Sequence, residues 1–146
     1  MKTNRSTGRF ASGMLFLVLL ACASPVTFAQ QKPEQMAQAS SEAWLGLVDS
    51  GKYADSWQEA SSLFKAAVTK EKWQGMLHSA RDPLGKMLTR KLNSATYTKT
   101  LPGAPEGEYV VIQFETDFEH KQATTETITP TLDKDGKWRV SGYFIK

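Results

Sequence analysis

Between Gly107 and Lys146 the chain reads GEYVVIQFETDFEHKQATTETITPTLDKDGKWRVSGYFIK. Apolar residues alternate along it, with Val110, Ile112, Phe114 and Phe118 in one run and Trp138, Val140 and Phe144 in another. A strand turns successive side chains to opposite faces, so a period of two lines one face of a sheet. Asp135-Gly136, just before the second run, is a hairpin signal. Ala123 to Leu132 supplies another strand, with Glu126, Ile128 and Leu132 on one side. Thr125, Thr127, Thr129 and Thr131 lie on the other side, which is expected to face solvent. Pro130 cannot donate to a ladder, so this strand is expected at an edge or bulged there. An antiparallel sheet with one apolar face needs a cover, and the helical region before it is the only candidate.

That region divides by its caps. Pro33 suits a first helical turn, with Glu34 at the positive end of the helix dipole. Met36, Ala39, Ala43 and Leu47 then recur at helical spacing, and Trp44 and Val48 widen the stripe. Gly51 is a natural residue just past the end of that helix. A second helix is expected over about Tyr53 to Val68, with Trp57, Ser61, Phe64 and Val68 on one face. Thr69 caps a third, which carries Trp73, Met76, Leu77 and Ala80 and stops near Arg81-Asp82 because Pro83 pushes Asp82 out of helical space. Thr96, Tyr97, Thr98 and Thr100 place the first strand within Met87 to Leu101, and Leu101 to Gly107 forms a loop. The expectation is therefore an α+β domain, three N-terminal helices packed on a four-stranded antiparallel sheet. Trp44, Trp57 and Trp73 fall one per helix. They are expected to be core anchors, the alternative being an aromatic ligand cage.

Composition matters first for location. Met1 to Ala29 contains Lys2, Arg5 and Arg9, no acid, and an apolar stretch from Phe10 to Ala23 that is short for a membrane span. Val26-Thr27-Phe28-Ala29 ends it with small residues, so a signal peptide over residues 1–29, cleaved after Ala29, is expected. A periplasmic or secreted domain over residues 30–146 would follow. The alternatives are an uncleaved anchor helix and a lipoprotein, the latter because Leu19-Leu20-Ala21-Cys22 resembles a lipidation box in which Cys22 is modified and the chain is held at a membrane. Without the leader, the chain's 18 basic residues fall by three and match its 15 acids. A neutral domain lacks the electrostatic footprint that nucleic acid requires. It also lacks cysteine, which excludes disulfides and thiol chemistry.

Several segments together carry a family likeness. AWLGLVDSGKYADSW (Ala43 to Trp57), Trp73, RDPLG (Arg81 to Gly85) and DGKWRVSGYFIK (Asp135 to Lys146) resemble the bacterial family catalogued as domain of unknown function 4019. The resemblance covers nearly all of the chain beyond the leader. It implies a cystatin-like or nuclear-transport-factor-2-like fold, a curved sheet wrapped around helices. It implies no activity and carries over no catalytic residue.

Chemical motifs are sparse. His78 falls on the third helix and His120 in a polar turn, neither with a metal-ligand neighbour at useful spacing. His78 reads as a surface or capping residue. Glu115, Asp117 and Glu119 share the parity opposite to the apolar face and are expected in solvent. Asp133-Lys134-Asp135-Gly136 begins like a calcium loop but lacks the remaining ligands, and a hairpin turn explains it. Arg81 to Gly85 could form a binding loop, though Pro83 and Gly85 more simply make a turn. Glu126 alone among the acids shares parity with buried residues. If buried it would be a candidate general acid or base, partnered by Tyr97 or a histidine.

The function expected from these features is a non-enzymatic binding module for a small apolar ligand or an envelope partner protein, with no metal or cofactor. The alternatives are a small hydrolase or isomerase using Glu126, and a structural or assembly protein anchored through Cys22. Gly142 interrupts the Trp138, Val140, Phe144 row, and a strand glycine often marks a close approach or a bend. The ligand cavity is therefore expected opposite Gly142, walled by Phe114, Trp138 and Phe144 from the sheet and by Trp57 or Trp73 from the helices. The alternative is that a helix aromatic fills the gap.

Overall fold

The computed structural model describes residues 31–146; the expected cleavage point after Ala29 and the lipidation candidate Cys22 lie outside the described residues. Four helices come first: α1 (Pro33–Asp49), α2 (Tyr53–Gln58), α3 (Ser62–Ala67) and α4 (Lys70–Ala80). A short 3-10 turn over Asp82–Leu84 leads into the strands β1 (Met87–Thr98), β2 (Tyr109–Phe118), β3 (Lys121–Leu132) and β4 (Trp138–Ile145). The strands form one antiparallel sheet in the order β1-β2-β3-β4. This is an α+β domain whose helices precede a simple meander. Among the described residues no helix is long and apolar enough to cross a membrane.

The expected second helix is two helices, broken at Glu59-Ala60-Ser61. Ser61 is extended, and its hydroxyl accepts a hydrogen bond from the Phe64 amide at 3.1 Å, which starts α3 afresh. Its own amide donates to the Val140 carbonyl at 2.9 Å and ties the break to the sheet. The stripe on α1 is also rotated from expectation. Ala37, Ser41, Trp44, Leu45 and Val48 are buried, while Met36, Ala39 and Ala43 are exposed. The bulky Trp44, Leu45 and Val48 bury more area than Met36 and two alanines, so they choose the face. Thr69 caps α4 as expected, its hydroxyl accepting from the Lys72 amide.

Val110, Ile112 and Phe114 of β2, Ile128 of β3 and Trp138 and Val140 of β4 form the sheet side of the core. Trp44, Leu45 and Val48 of α1 and Trp73 and Leu77 of α4 press on them. Trp44 and Trp73 are buried with ring centres 5.9 Å apart. Both indole N–H groups go to one buried serine: Trp44 Nε1 donates to the Ser56 carbonyl at 2.7 Å and Trp73 Nε1 to Ser56 Oγ at 3.0 Å. Burying two polar tips at a single satisfied residue fixes how α1, α2 and α4 meet.

A bulge in β4 overturns the expected parity of its second half. Thr129 pairs with Gly142 but Pro130 pairs with Val140, leaving Ser141 as an extra residue. Its hydroxyl donates to the Thr129 carbonyl at 2.7 Å. Pro130 cannot donate to a ladder and lies on the inner strand β3 rather than at an edge, and the bulge falls opposite it in the edge strand β4. Beyond it Tyr143 turns inward and Phe144 outward, 68% exposed, so Phe144 does not share the core face of Trp138 and Val140. Gly142 also faces outward. A methyl group placed on it would meet Thr129 Cβ at 3.7 Å on the outer face, so no core cavity lies opposite this glycine.

The threonine row of β3 needs one correction. Thr131 is buried, because its hydroxyl donates to the Glu108 carbonyl at 3.0 Å under the loop between β1 and β2. Tyr109, whose hydroxyl donates to the Pro105 carbonyl, closes the same end.

These faces set an order of stability effects. Trp138→Ala is expected to cost ~3–5 kcal/mol, as for other buried tryptophans. Thr127→Ala and Phe144→Ala, on the outer face, are expected to cost under ~0.5 kcal/mol each. Urea titrations compare the midpoints directly. A Phe144→Ala loss as large as that of Trp138→Ala would put the bulge in the wrong place.

Candidate functional site

Two features meet where the C-terminal ends of α1 and α4 approach the sheet. The first is a network of buried and half-buried charges. Asp49, the last residue of α1, accepts from Arg81 Nη2 at 2.9 Å and from Arg90 Nη1 and Nη2 at 2.8 and 3.1 Å. A carboxylate is unfavourable at a helix C-terminus, and the two guanidiniums reverse that local balance. Arg81 follows α4, is buried, stacks over the Phe118 ring at 4.2 Å and donates to the Gly85 carbonyl at 2.7 Å. Arg90 sits on the inner row of β1, opposite Thr116.

Glu126, on the inner row of β3, is fully buried. It accepts from Arg90 Nε at 2.7 Å, Thr116 Oγ1 at 2.6 Å and the Tyr143 hydroxyl at 2.5 Å. Arg90 Nη2 adds a longer contact at 3.3 Å, so both carboxylate oxygens are engaged. Burial opposes the charge on Arg90, but its hydrogen bonds to Asp49 and Glu126 outweigh that, and its pKa is raised. Burial, then the charge and hydrogen bond of Glu126, push the Tyr143 phenol well above its ordinary value. Tyr143 therefore stays protonated and serves as a donor. A carboxylate with its oxygens filled by protein donors is held for structure, joining α1 and all four strands at one point.

The second feature is an apolar groove of about 650 Å³ between α4 and the end of β4. Trp73, Met76 and Leu77 form one wall, and Tyr143, Phe144 and Ile145 the other. Met76, expected in the helix stripe, is 50% exposed, and Ala80 is exposed too. Half of the α4 stripe therefore packs inward through Trp73 and Leu77, and half faces the groove. Tyr143 belongs to both features, since its ring lines the groove and its hydroxyl reaches Glu126. The Trp44 ring lies 5.5 Å away and holds it edge-on.

Of the residues expected around a ligand, the fold brings Trp73 and Phe144 together at this groove. Phe114 and Trp138 are core residues away from it, and Gly142 is on the outer face. Trp57 is half-buried, with its indole N–H donated to the Val68 carbonyl at 2.8 Å. Tyr97 is not beside Glu126; its hydroxyl donates to Glu108 at 2.8 Å, and Tyr143 takes the place expected of it. His78 is exposed and pairs with Asp82 at 2.8 Å, and His120 is exposed in the β2–β3 turn. The oxygens of the Asp133–Gly136 turn face a cation already, because Arg139 pairs with Asp133 at 3.1 Å and with Asp135 at 2.8 Å. That hydrogen bond holds Asp135 down at about 2. Arg81 to Gly85 forms a turn in which Gly85 has φ +74° and a side chain would strike Glu119.

Local patterns give Asp49, Arg90 and Tyr143 no site role and raise Arg81 only within a turn, but one signal points to the two arginines. Beyond the leader the chain uses arginine only at positions 81, 90 and 139, among many lysines, and each pairs with a carboxylate. Arginine's planar fork suits desolvated carboxylates better than lysine's ammonium does.

A family model described as Protein of unknown function (DUF4019) matches residues 40–143. No curated protein and no solved structure matches the chain.

Removing one member of the buried pair tests its role. Arg90→Met is expected to destabilise by ~3–5 kcal/mol by leaving Glu126 buried without its cation. Arg90→Met combined with Glu126→Leu is expected to recover more than half of that loss. Urea titration of both variants checks it, and a double variant no better than the single one would mean that the pair is not the unit that matters.

Proposed function

This chain belongs to the family described as Protein of unknown function (DUF4019), and on that footing we propose that it is a non-enzymatic binding module that receives an apolar guest between α4 and the end of β4. The carrying observation is the groove itself, where Met76 is 50% exposed beside Trp73 and Leu77 and Phe144, 68% exposed, stands at the rim. Soluble domains seldom leave large apolar side chains clustered at a concave surface without a use for them. Arg90, Thr116 and Tyr143 fill the oxygens of Glu126, which argues against a hydrolase or isomerase working through that acid. The order of helices before an antiparallel meander supports a cystatin-like or nuclear-transport-factor-2-like placement.

Titration with N-phenyl-1-naphthylamine, a dye that brightens in apolar surroundings, tests the groove. Met76→Glu and Phe144→Ser are each expected to weaken dye binding roughly tenfold, the worth of one apolar contact surface. Their urea midpoints are expected to stay near that of the unaltered protein, since both residues are exposed. Dye binding unchanged by both substitutions, or absent from the start, would sink the proposal.

Export to the periplasm or medium is part of the same reading, motivated by the basic, apolar and small-residue layout of Met1 to Ala29. Intact mass of protein from the envelope fraction is expected to fit a chain starting at Gln30. A lipid-bearing chain starting at Cys22 would replace the free domain with an anchored one.

A further inference from the structure

The free edge of β4 is closed along its first half. The Trp138 carbonyl accepts from Ser40 Oγ at 2.6 Å, and the Val140 carbonyl accepts from the Ser61 amide at 2.9 Å. Beyond Ser141 the situation changes. Lys146 and Thr125 exchange both backbone hydrogen bonds at 3.0 Å, so they are a hydrogen-bonded pair. Antiparallel ladders alternate between bonded and non-bonded pairs. Phe144–Thr127 is therefore bonded as well, while Tyr143–Ile128 and Ile145–Glu126 are not. The amides and carbonyls of Tyr143 and Ile145 thus point away from β3, towards open space. Among the described residues no backbone hydrogen bond from outside the ladder reaches either one.

The opposite edge is protected in ways this one is not. β1 carries register breaks between Met87 and Thr89 and between Leu92 and Ser94, with Arg90 and Lys91 between them. Bulges and charges of this kind discourage an added strand. Ser141 to Ile145 contains no charge and no proline. The apolar groove runs along this same stretch with α4 as its far wall. A strand added here would send alternate side chains inward against Trp73, Met76 and Leu77. Those between would pass over Phe144 on the outer face. One geometry thus accounts for exposed apolar residues on both faces of the sheet.

Charge narrows the occupant. Among the described residues Lys72 is the one charged residue lining the groove and no acid lines it, and Lys146 follows the strand. Neither lysine belongs to an ion pair among the described residues. A second copy of this chain would set these lysines near their own kind, whereas an acidic residue beside an apolar run would meet them favourably. We propose that the second half of β4 is a docking edge for an extended apolar peptide segment of a partner protein, flanked by acidic residues and added to the sheet as a further strand. The proposal rests on the groove reading above and names the guest for it. Backbone hydrogen bonds would hold the peptide, and the groove would select its side chains.

The probe is the peptide acetyl-Glu-Val-Thr-Leu-Thr-Val-Glu-amide, compared with its lysine-flanked analogue and with a version methylated on its central amide nitrogens. Saturating glutamate-flanked peptide is expected to slow hydrogen exchange at the Tyr143 and Ile145 amides by about tenfold or more, as burial in a ladder does. The methylated peptide is expected not to bind. Lys72→Glu is expected to reverse the preference between the two flanks, with its thermal midpoint unchanged. If the naphthylamine dye binds but no peptide slows those amides, the guest is a small molecule and strand addition is wrong, while the groove reading survives. If neither dye nor peptide binds, both fall. If the amides become protected without peptide as concentration rises and the mass doubles in sedimentation, the edge belongs to a second copy and the proposal is wrong.

Discussion

The contact on which the rest depends is that between Glu126 and Arg90, completed by Asp49. A carboxylate at the centre of a sheet's inner face is costly to desolvate, and it persists only where donors surround it. Here those donors come from β1, β2 and β4, and Arg90 reaches on to the end of α1. Arg81 extends the chain of charges to the end of α4. The point where helices and sheet converge is therefore specified by geometry-sensitive polar bonds, while the apolar core beneath Trp44 and Trp138 supplies the bulk of the burial. An apolar filling could match that stability, but without the directional bonds that here set the angle at which α1 and α4 leave the sheet.

That angle matters for the groove. Tyr143 is pinned at its hydroxyl by Glu126 and at its ring by Trp44, so one wall is rigid. Trp73 and Leu77 anchor the other wall in the core, with Trp73 steered by Ser56. A surface held on both sides before any guest arrives loses little side-chain freedom on binding, which favours recognition by shape.

Much of this was legible in the sequence. The period-two runs of β2 and β3 placed Val110, Ile112, Phe114, Glu126 and Ile128 on the inner face, and Thr69 and Gly51 marked helix boundaries. What could not be read had specific causes. Ser61 fits the face of one long helix by spacing, and a serine followed three residues later by an apolar one fits a cap equally well. Two overlapping faces of α1 have helical spacing, and side-chain bulk chooses between them. Thr131 was hidden by a loop whose path over the sheet no local pattern encodes. The network around Glu126 joins residues from positions 49 to 143, and such long-range pairing leaves only the indirect trace of sparse arginines.

The extra residue in β4 bears on how relatives of this chain should be compared. Before Ser141 the odd-even rule assigns Trp138 and Val140 inward, and after it the rule is inverted. A homologue that kept the same letters but paired them without the bulge would carry them with inside and outside exchanged. Its aromatic pair would then trade tasks, the tyrosine facing water and the phenylalanine the carboxylate. A column-by-column reading of such sequences would set side by side residues that share an identity and do different work. Parity counted from the bulge, rather than position counted from the terminus, is the coordinate that keeps them comparable.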